Sequence, residues 1–284
     1  MKKEEVRTRI EQIGIIPAIR VSSAEDACFA AETVNQGGIP IAEITVTVPG
    51  AMDVISDLRH RIPEMIVGAG TVLDIQMAQR SLYAGAKFLT SPGLILDVVE
   101  FAAKHDVVIF PGALTPTEII TAWKAGADFV KVFPSAPLGG ESYIRALTAP
   151  LPHVPLIASG DVNQKTAKGF ILAGAAALGI GGELIPKEAI QFRQLNRILE
   201  LANRFKGMVK EARSHQSSGC LRWLPLDSIA RQGQRDFMVL RGDARQLRIE
   251  WRRAGSRQPL GQEITSGCTS VIHVDMCEVA GRKL

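Results

Sequence analysis

A single (β/α)8 barrel, closed by an extra helix at its N-terminus, is the fold this sequence predicts for residues 1–213. Three observations carry that expectation. Short apolar runs alternate with stretches of helical period eight times over about 200 residues, the arithmetic of a small barrel. The runs are continuously hydrophobic and do not alternate in polarity, as strands do when both sheet faces are covered. Glycines close the intervening helices, as at Gly37, Gly85, Gly126 and Gly174, the usual residue just past a helix end.

The elements follow in order. A charged amphipathic stretch at about Lys3–Gln12 reads as a helix able to cover the open bottom of the ring. The strand runs are 15–20 (IIPAIR), 41–47 (IAEITVT), 66–71 (IVGAGT), 88–92 (FLTSP), 107–112 (VVIFPG), 129–134 (FVKVFP), 155–160 (PLIASG) and 177–182 (ALGIGG). Helical stretches between them include Ala24–Gln36, Asp74–Ala84, Leu94–Lys104, Pro116–Ala125 and Asn163–Ala173, with Ser22/Ser23, Asp74 and Asn163 placed to cap or start them. A last helix over Glu188–Arg213 closes the ring. The competing architecture is a doubly wound open sheet, whose first βα turn commonly carries GxGxxG. Gly68-Ala69-Gly70 falls at the third strand and lacks the third glycine, which favours the barrel.

Composition changes near Arg213. Residues 1–213 hold 22 Lys+Arg and 22 Asp+Glu, whereas residues 214–284 hold 11 and 7, with ten of those eleven bases Arg. Residues 214–284 open on a polar linker, Ser214–Gly219, and offer only short isolated strand candidates at Phe237–Arg241 and Thr269–Val274. This Arg-rich tail is expected to be a poorly ordered appendage, of the kind a read-through or altered reading frame leaves. A small accessory domain or a nucleic-acid contact is the alternative, and the latter lacks a basic helix or interleaved aromatic residues. No apolar run approaches the roughly 18 residues of a membrane span. The N-terminus is charged, with no apolar signal segment, so a soluble cytoplasmic protein with neither membrane nor nucleic-acid partner is expected. Cys28, Cys220, Cys268 and Cys277 form no CxxC pair and suggest neither a zinc site nor a disulfide framework.

Catalytic side chains of a barrel project from the C-terminal ends of its strands. Glu43 and Lys131 are the ionisable residues set inside apolar strand runs. An ammonium in such a run is costly to desolvate, so it tends to lose its proton or find a dedicated partner. A neutral Lys amine is a nucleophile toward ketones. Lys131 is therefore the candidate Schiff-base residue and Glu43 the candidate proton shuttle, with Phe129 and Phe133 on the lysine's own face. A structural ion pair is the competing reading. Around the mouth, Arg20 ends strand 1, and Thr45 and Thr47 follow Glu43 on its own strand face, because side chains alternate with period two. Thr71 ends strand 3, and Pro92 lies in Ser91-Pro92-Gly93. Ser159 and Gly160 end strand 7, and Gly181 and Gly182 end strand 8. These glycine-rich ends are where barrels commonly hold a phosphate, although Asp161 and Glu183 set carboxylates beside the same turns. None of the histidines falls at a strand end, which disfavours a metal-dependent aldolase or isomerase.

Ala42-Glu43-Ile44-Thr45, Val67–Val72, Ser91-Pro92-Gly93, Phe110-Pro111-Gly112, Phe129–Pro134 and Gly179–Gly182 occur in an order and spacing that resembles the KDPG/KHG aldolases, from about residue 5 to 212. The resemblance implies a class I aldolase without metal or cofactor. Such an enzyme splits a 2-keto-3-deoxy sugar acid or 4-hydroxy-2-oxoglutarate into pyruvate and an aldehyde. It further implies Lys131 as the imine-forming lysine, Glu43 as the proton-transfer carboxylate, Thr71 as a pyruvate contact, and a cytoplasmic homotrimer. The chain departs from the family's pattern where phosphogluconate-cleaving members often carry Arg (here Thr47), Thr-Gly-Gly (here Ser159-Gly160-Asp161) and Ser (here Glu183). These departures leave the phosphorylation of the substrate open. Two other functions stay in view: a phosphate-handling barrel isomerase or synthase, and a catalytically silent ligand-binding barrel.

Overall fold

The computed structural model of the chain describes residues 1–219, 236–243, 246–253 and 259–265, and divides into two compact units, Met1–Arg213 and Ser214–Leu284. In the first unit nine parallel strand segments run β1 (Ile15–Ile19), β2 (Ile41–Thr45), β3 (Ile66–Gly70), β4 (Phe88–Thr90), β5 (Val108–Phe110), β6 (Gly112–Ala113), β7 (Val130–Val132), β8 (Leu156–Ser159) and β9 (Ala177–Ile180). Their order is β5-β4-β3-β2-β1-β9-β8-β7-β6, so the first strand pairs with the last, Ile15 opposite Leu178. All eight strand runs read from the sequence are present.

The ninth segment arises because β5 and β6 share one strand position, interrupted at Pro111. Proline has no N–H to give to a ladder. Below the break β5 pairs with β4, and above it β6 pairs with β7. The N–H groups of Asp128 and Lys131 donate to the carbonyls of Ile109 and Pro111, which carries the hydrogen bonding across the seam and around the ring.

Outside the strands lie α2 (Ala24–Gln36), α3 (Ala51–Arg61), α4 (Ile75–Ala84), α5 (Leu96–Lys104), α6 (Pro116–Lys124), α7 (Glu141–Thr148), α8 (Ala167–Leu172), α9 (Lys187–Gln191) and α10 (Leu195–Gly219), with α1 (Lys3–Ile13) at the N-terminus. Local chemistry starts several of them. Ser23 and Asp74 accept from the N–H groups of Asp26 and Met77, while Thr115 and Glu118 form a reciprocal capping box with Pro116 at the first helical position. Asn163 accepts from Lys165 and Thr166 in a turn ahead of α8 and is not its cap. Gly37 keeps a φ of −69°, and its neighbour Gly38 makes the left-handed turn at 79°. The single helix expected over Glu188–Arg213 is broken at residues 192–194. There Arg193 takes a φ of 47° and pairs with Glu25 and Asp26 at the start of α2.

Hydrocarbon fills the unit in two separate places. One cluster lies between the outer sheet face and the helices. The other fills the lumen with Ile16, Ile41, Ile66, Phe88, Val108, Phe110, Phe129 and Ile157. Val6 and Ile10 of α1, one turn apart, belong to that lumen cluster, so α1 plugs the bottom as expected. Its position is fixed by Lys3 Nζ, 3.0 Å from Asp128 Oδ2, and by the Arg213 guanidinium, which donates to the carbonyls of Glu11, Gln12 and Ala176.

In the second unit β10 (Asp236–Asp243), β11 (Gln246–Arg253) and β12 (Pro259–Thr265) form an antiparallel sheet in that order, with Leu240 opposite Ile249 and Ile249 opposite Glu263. The candidate Phe237–Arg241 lies within β10. The alternation Leu247, Ile249, Trp251 marks β11 in the sequence, although only isolated strands were expected there. The candidate Thr269–Val274 and the rest of the tail, where poor order was expected, lie outside the described residues.

Candidate active site

Side chains on one strand face recur every second residue. On β2 the inward set begins with Ile41 in the lumen cluster and continues through Glu43 to Thr45. Along the β7 segment it begins with Phe129 and continues through Lys131 to Phe133. Glu43 is 2% exposed and Lys131 9%. Strands β2 and β7 stand apart in the ring, so the two side chains meet across the lumen, with Lys131 Nζ 3.5 Å from Glu43 Oε1. The amine also lies 3.5 Å from Thr90 Oγ1 and 5.7 Å from the centre of the Phe133 ring. The dedicated partner that a buried ammonium requires is therefore present. Both polar distances exceed the 2.7–2.9 Å typical of a tight charge-assisted hydrogen bond.

Two glycines make room for this arrangement. A Cβ on Gly70 would collide with the Glu43 carboxylate, and one on Gly68 with the Phe88 ring. The Gly68-Ala69-Gly70 segment, weighed above as a nucleotide signal, leaves lumen space that the neighbouring strands fill. Thr90, beside the amine, is a candidate site residue that the sequence reading missed. Its signal was the inward register of Phe88, two residues earlier on β4.

Above the amine the strand ends form the mouth. Arg20 Nη2 donates to Thr71 Oγ1 at 3.3 Å, crossing above β2. Pairing of β1 with β2, Ala18 opposite Glu43, makes them neighbours and brings Arg20 to Thr71. Thr71 has a φ of 63°, an outlier for a β-branched residue and the kind of backbone strain that gathers at functional sites. The Thr45 hydroxyl donates to the Ile19 carbonyl and is committed to the framework. Thr47 lies beyond the end of β2 in a turn, exposed, so strand alternation does not place it on the Glu43 face.

Pro92 is exposed, and its carbonyl region packs closely enough on Gly112 to exclude a side chain there. Phe133 is 38% exposed. Ser159 is buried at the inward end of β8, and its carbonyl accepts from both the N–H and the hydroxyl of Ser135. Gly160, at φ 88°, packs against Pro134, whose Cα would lie 2.9 Å from an added Cβ. Around Gly182 there is open space, and around Gly181 the nearest atom to an added Cβ would be Ala18 O at 3.7 Å. Asp161 and Glu183 are both exposed. Among the described residues no group of three or more His, Cys, Asp or Glu is arranged to hold a metal ion.

The family model for KDPG and KHG aldolase matches residues 6–201. Among relatives, the 2-dehydro-3-deoxy-phosphogluconate aldolase of Treponema pallidum is 31% identical over 68% of this chain and 92% of its own length. The KHG/KDPG aldolase of Escherichia coli K12 is 32% identical over 66% of this chain and 88% of its own. Among solved structures, the KDPG aldolase of Legionella pneumophila, with pyruvate captured as a covalent carbinolamine, matches with a TM-score of 0.64 at 28% identity, over 70% of this chain and 96% of that one. The chain belongs to the KDPG and KHG aldolase family.

Proposed function

We propose that this protein is a class I aldehyde-lyase that cleaves a 2-keto-3-deoxy sugar acid or 4-hydroxy-2-oxoglutarate to pyruvate and an aldehyde through an imine on Lys131. The observation that carries the reading is the Lys131–Glu43 pair, set at the mouth end of a lumen otherwise packed with hydrocarbon. A pair serving stability alone would be expected to close to direct hydrogen-bond distance, because only good geometry offsets the desolvation of both charges. This one stands at 3.5 Å beneath an open mouth.

In the forward reaction the Lys131 amine adds to the C2 ketone, and loss of water from the carbinolamine leaves a protonated imine. Glu43 takes the C4 hydroxyl proton as the C3–C4 bond breaks. The bond's electron pair moves into the imine, leaving an enamine and the free aldehyde. Protonation at C3 and addition of water then release pyruvate and restore the amine. One carboxyl able to act as both acid and base serves every proton transfer. Thr90 stands where its hydroxyl can orient the amine or the C2 oxygen. We assign the substrate carboxylate to the Arg20–Thr71 corner, since a guanidinium fork suits a planar anion. The rest of the substrate then lies among Thr47, Pro92, Phe133, Ser159, Gly160, Gly181 and Gly182. The active form we infer is a cytoplasmic homotrimer, following the family resemblance. Exposed Tyr83 and Phe192 are apolar surface available for association. Among the described residues no helix is long and apolar enough to cross a membrane.

Borohydride reduction in the presence of pyruvate tests the assignment. The expected result is one pyruvate-derived mass on the peptide containing Lys131, absent in Lys131→Ala and in Lys131→Arg, whose guanidinium stays protonated. An adduct on Lys87 or Lys165 would overturn it. We further infer that residues 214–284 are an appendage outside the catalytic unit. A chain ending at Arg213 is therefore expected to trap pyruvate as the full chain does, and failure of that arm alone would give the tail a part in the site.

A further inference from the structure

If the substrate carboxylate lies at the Arg20–Thr71 corner over β1–β3 and its ketone at Lys131, the remaining chain of the substrate points at the arc of β8 and β9. Open space adjoins Gly181 and Gly182 there. Loops after the last two strands of a barrel are the usual place for a substrate phosphate, which is held by clustered backbone N–H groups and a helix N-terminus. Here the chemistry of those loops is of the opposite sign. Asp161 directly follows Gly160, and Glu183 directly follows Gly182. Both side chains are exposed, and among the described residues neither is held by a salt bridge. The nearest cations in sequence, Lys165 on the first of these loops and Lys187 at the start of α9, each follow four residues later and are exposed. The helices beyond are short and begin well past the glycines, α8 at Ala167 and α9 at Lys187.

We propose that the aldehyde half of the substrate is uncharged and hydroxylated, and that Asp161 and Glu183 select against a phosphate at that end. This inference rests on the aldolase reading given above. Ionised carboxylates accept hydrogen bonds from hydroxyls and repel a phosphate dianion brought within a few ångströms. The positive end of the substrate site is then the Arg20 corner alone, and discrimination depends on which end of the molecule carries charge.

The test runs in the synthetic direction with the full-length chain, pyruvate and three aldehydes: glyceraldehyde, glyceraldehyde 3-phosphate and glyoxylate. Glyceraldehyde is expected to match or exceed the phosphorylated aldehyde in kcat/KM, with glyoxylate, a monoanion, between them. The double variant Asp161→Asn/Glu183→Gln is expected to raise the ratio of phosphorylated to neutral kcat/KM at least about tenfold. Asn is well suited to the left-handed φ of 57° at residue 161, so the turn is retained. The gain should shrink as salt is raised, because exposed charges are screened over a Debye length of about 8 Å at physiological ionic strength. A parent preference for the phosphorylated aldehyde above about a hundredfold would overturn the proposal, as would a ratio unmoved in the double variant. Absence of turnover with all three aldehydes, together with no pyruvate adduct on Lys131, would remove the aldolase reading and this inference with it.

Discussion

The lower and upper halves of the lumen are built from the same strands, two residues apart, and share almost no chemistry. Ile41 precedes Glu43, Phe88 precedes Thr90, Phe129 precedes Lys131, and Ile157 precedes Ser159. Below, hydrocarbon from eight strand runs and the α1 plug packs into a layer with no polar duty. Above, the same four strands turn polar groups inward, with the Phe133 ring as the apolar neighbour of the amine. A barrel thus separates holding together from reacting by one step of the pleat. The lower layer excludes water from beneath the Lys131–Glu43 pair and fixes the strands that carry it. The upper layer is free to spend its positions on substrate.

The largest effect that would sharpen this contrast is expected from Glu43→Gln. It keeps the side-chain volume and removes the proposed proton shuttle, so turnover should fall by roughly 10²–10⁴, with the urea midpoint changing far less. Turnover near the parent rate would make the carboxyl a structural group and erase the distinction between the halves.

Next come two glycines on one strand. Gly70→Ala pushes a methyl group at the Glu43 carboxylate, and a misplacement of about 1 Å at a reacting group can cost on the order of 10² in rate. Gly68→Ala pushes the same methyl at the Phe88 ring, where overpacking costs about 1–3 kcal/mol of stability. The expected pattern is a kinetic defect from the first and a stability defect from the second, read by kcat and by urea unfolding on both variants. Equal stability losses with equal activity would show that the two layers yield as one body.

The smallest effect concerns Asp128, the carboxylate that anchors Lys3 of α1. Burial pushes the Asp128 carboxyl above the usual carboxylate range, against the opposing pull of the Ile109 N–H and of Lys3. The folded state then holds this proton more tightly than the unfolded chain does. The associated stability is full below an unfolded pKa near 3.9 and is lost as pH rises through the higher folded value. Asp128→Asn, a neutral mimic, should therefore gain on the parent in urea midpoint between about pH 4 and pH 7. A difference that stays flat across that range would mean that Lys3 and the Ile109 N–H fully balance the burial.

How much of this was legible in the sequence divides along the same line. All eight strands were readable, because a strand covered on both faces announces itself as continuous hydrocarbon, and Glu43 and Lys131 stood out as the exceptions within those runs. What could not be read was distance. Thr90 looked like an ordinary strand residue until closure of the ring brought β4 within reach of the β7 amine. Gly68 and Gly70 were weighed only as an incomplete nucleotide signal, when their use is the space they leave for neighbours on other strands. Arg20 reaches Thr71 because β1 and β2 are adjacent, a fact of topology and not of spacing. The break at residues 192–194 was hidden because Arg193 is no helix breaker by composition. Its left-handed φ coincides with ion pairs to α2, which lies more than 150 residues earlier in the chain.

The pairing of β1 with β9 has a consequence for how the molecule comes into being. Glu43 belongs to β2, among the first strands to leave the ribosome, and Lys131 to β7, and neither has a fixed position relative to the other until the final strand lies down beside the first. Contacts between such distant parts of a chain are slow to form, because loop-closure entropy is lost before they repay it. A nascent chain halted short of β9 would carry both Glu43 and Lys131 on an open sheet, with hydrocarbon from the future lumen exposed beside them. Activity would then switch on as a single late event in synthesis, and a fragment of the barrel would be sticky well before it was catalytic.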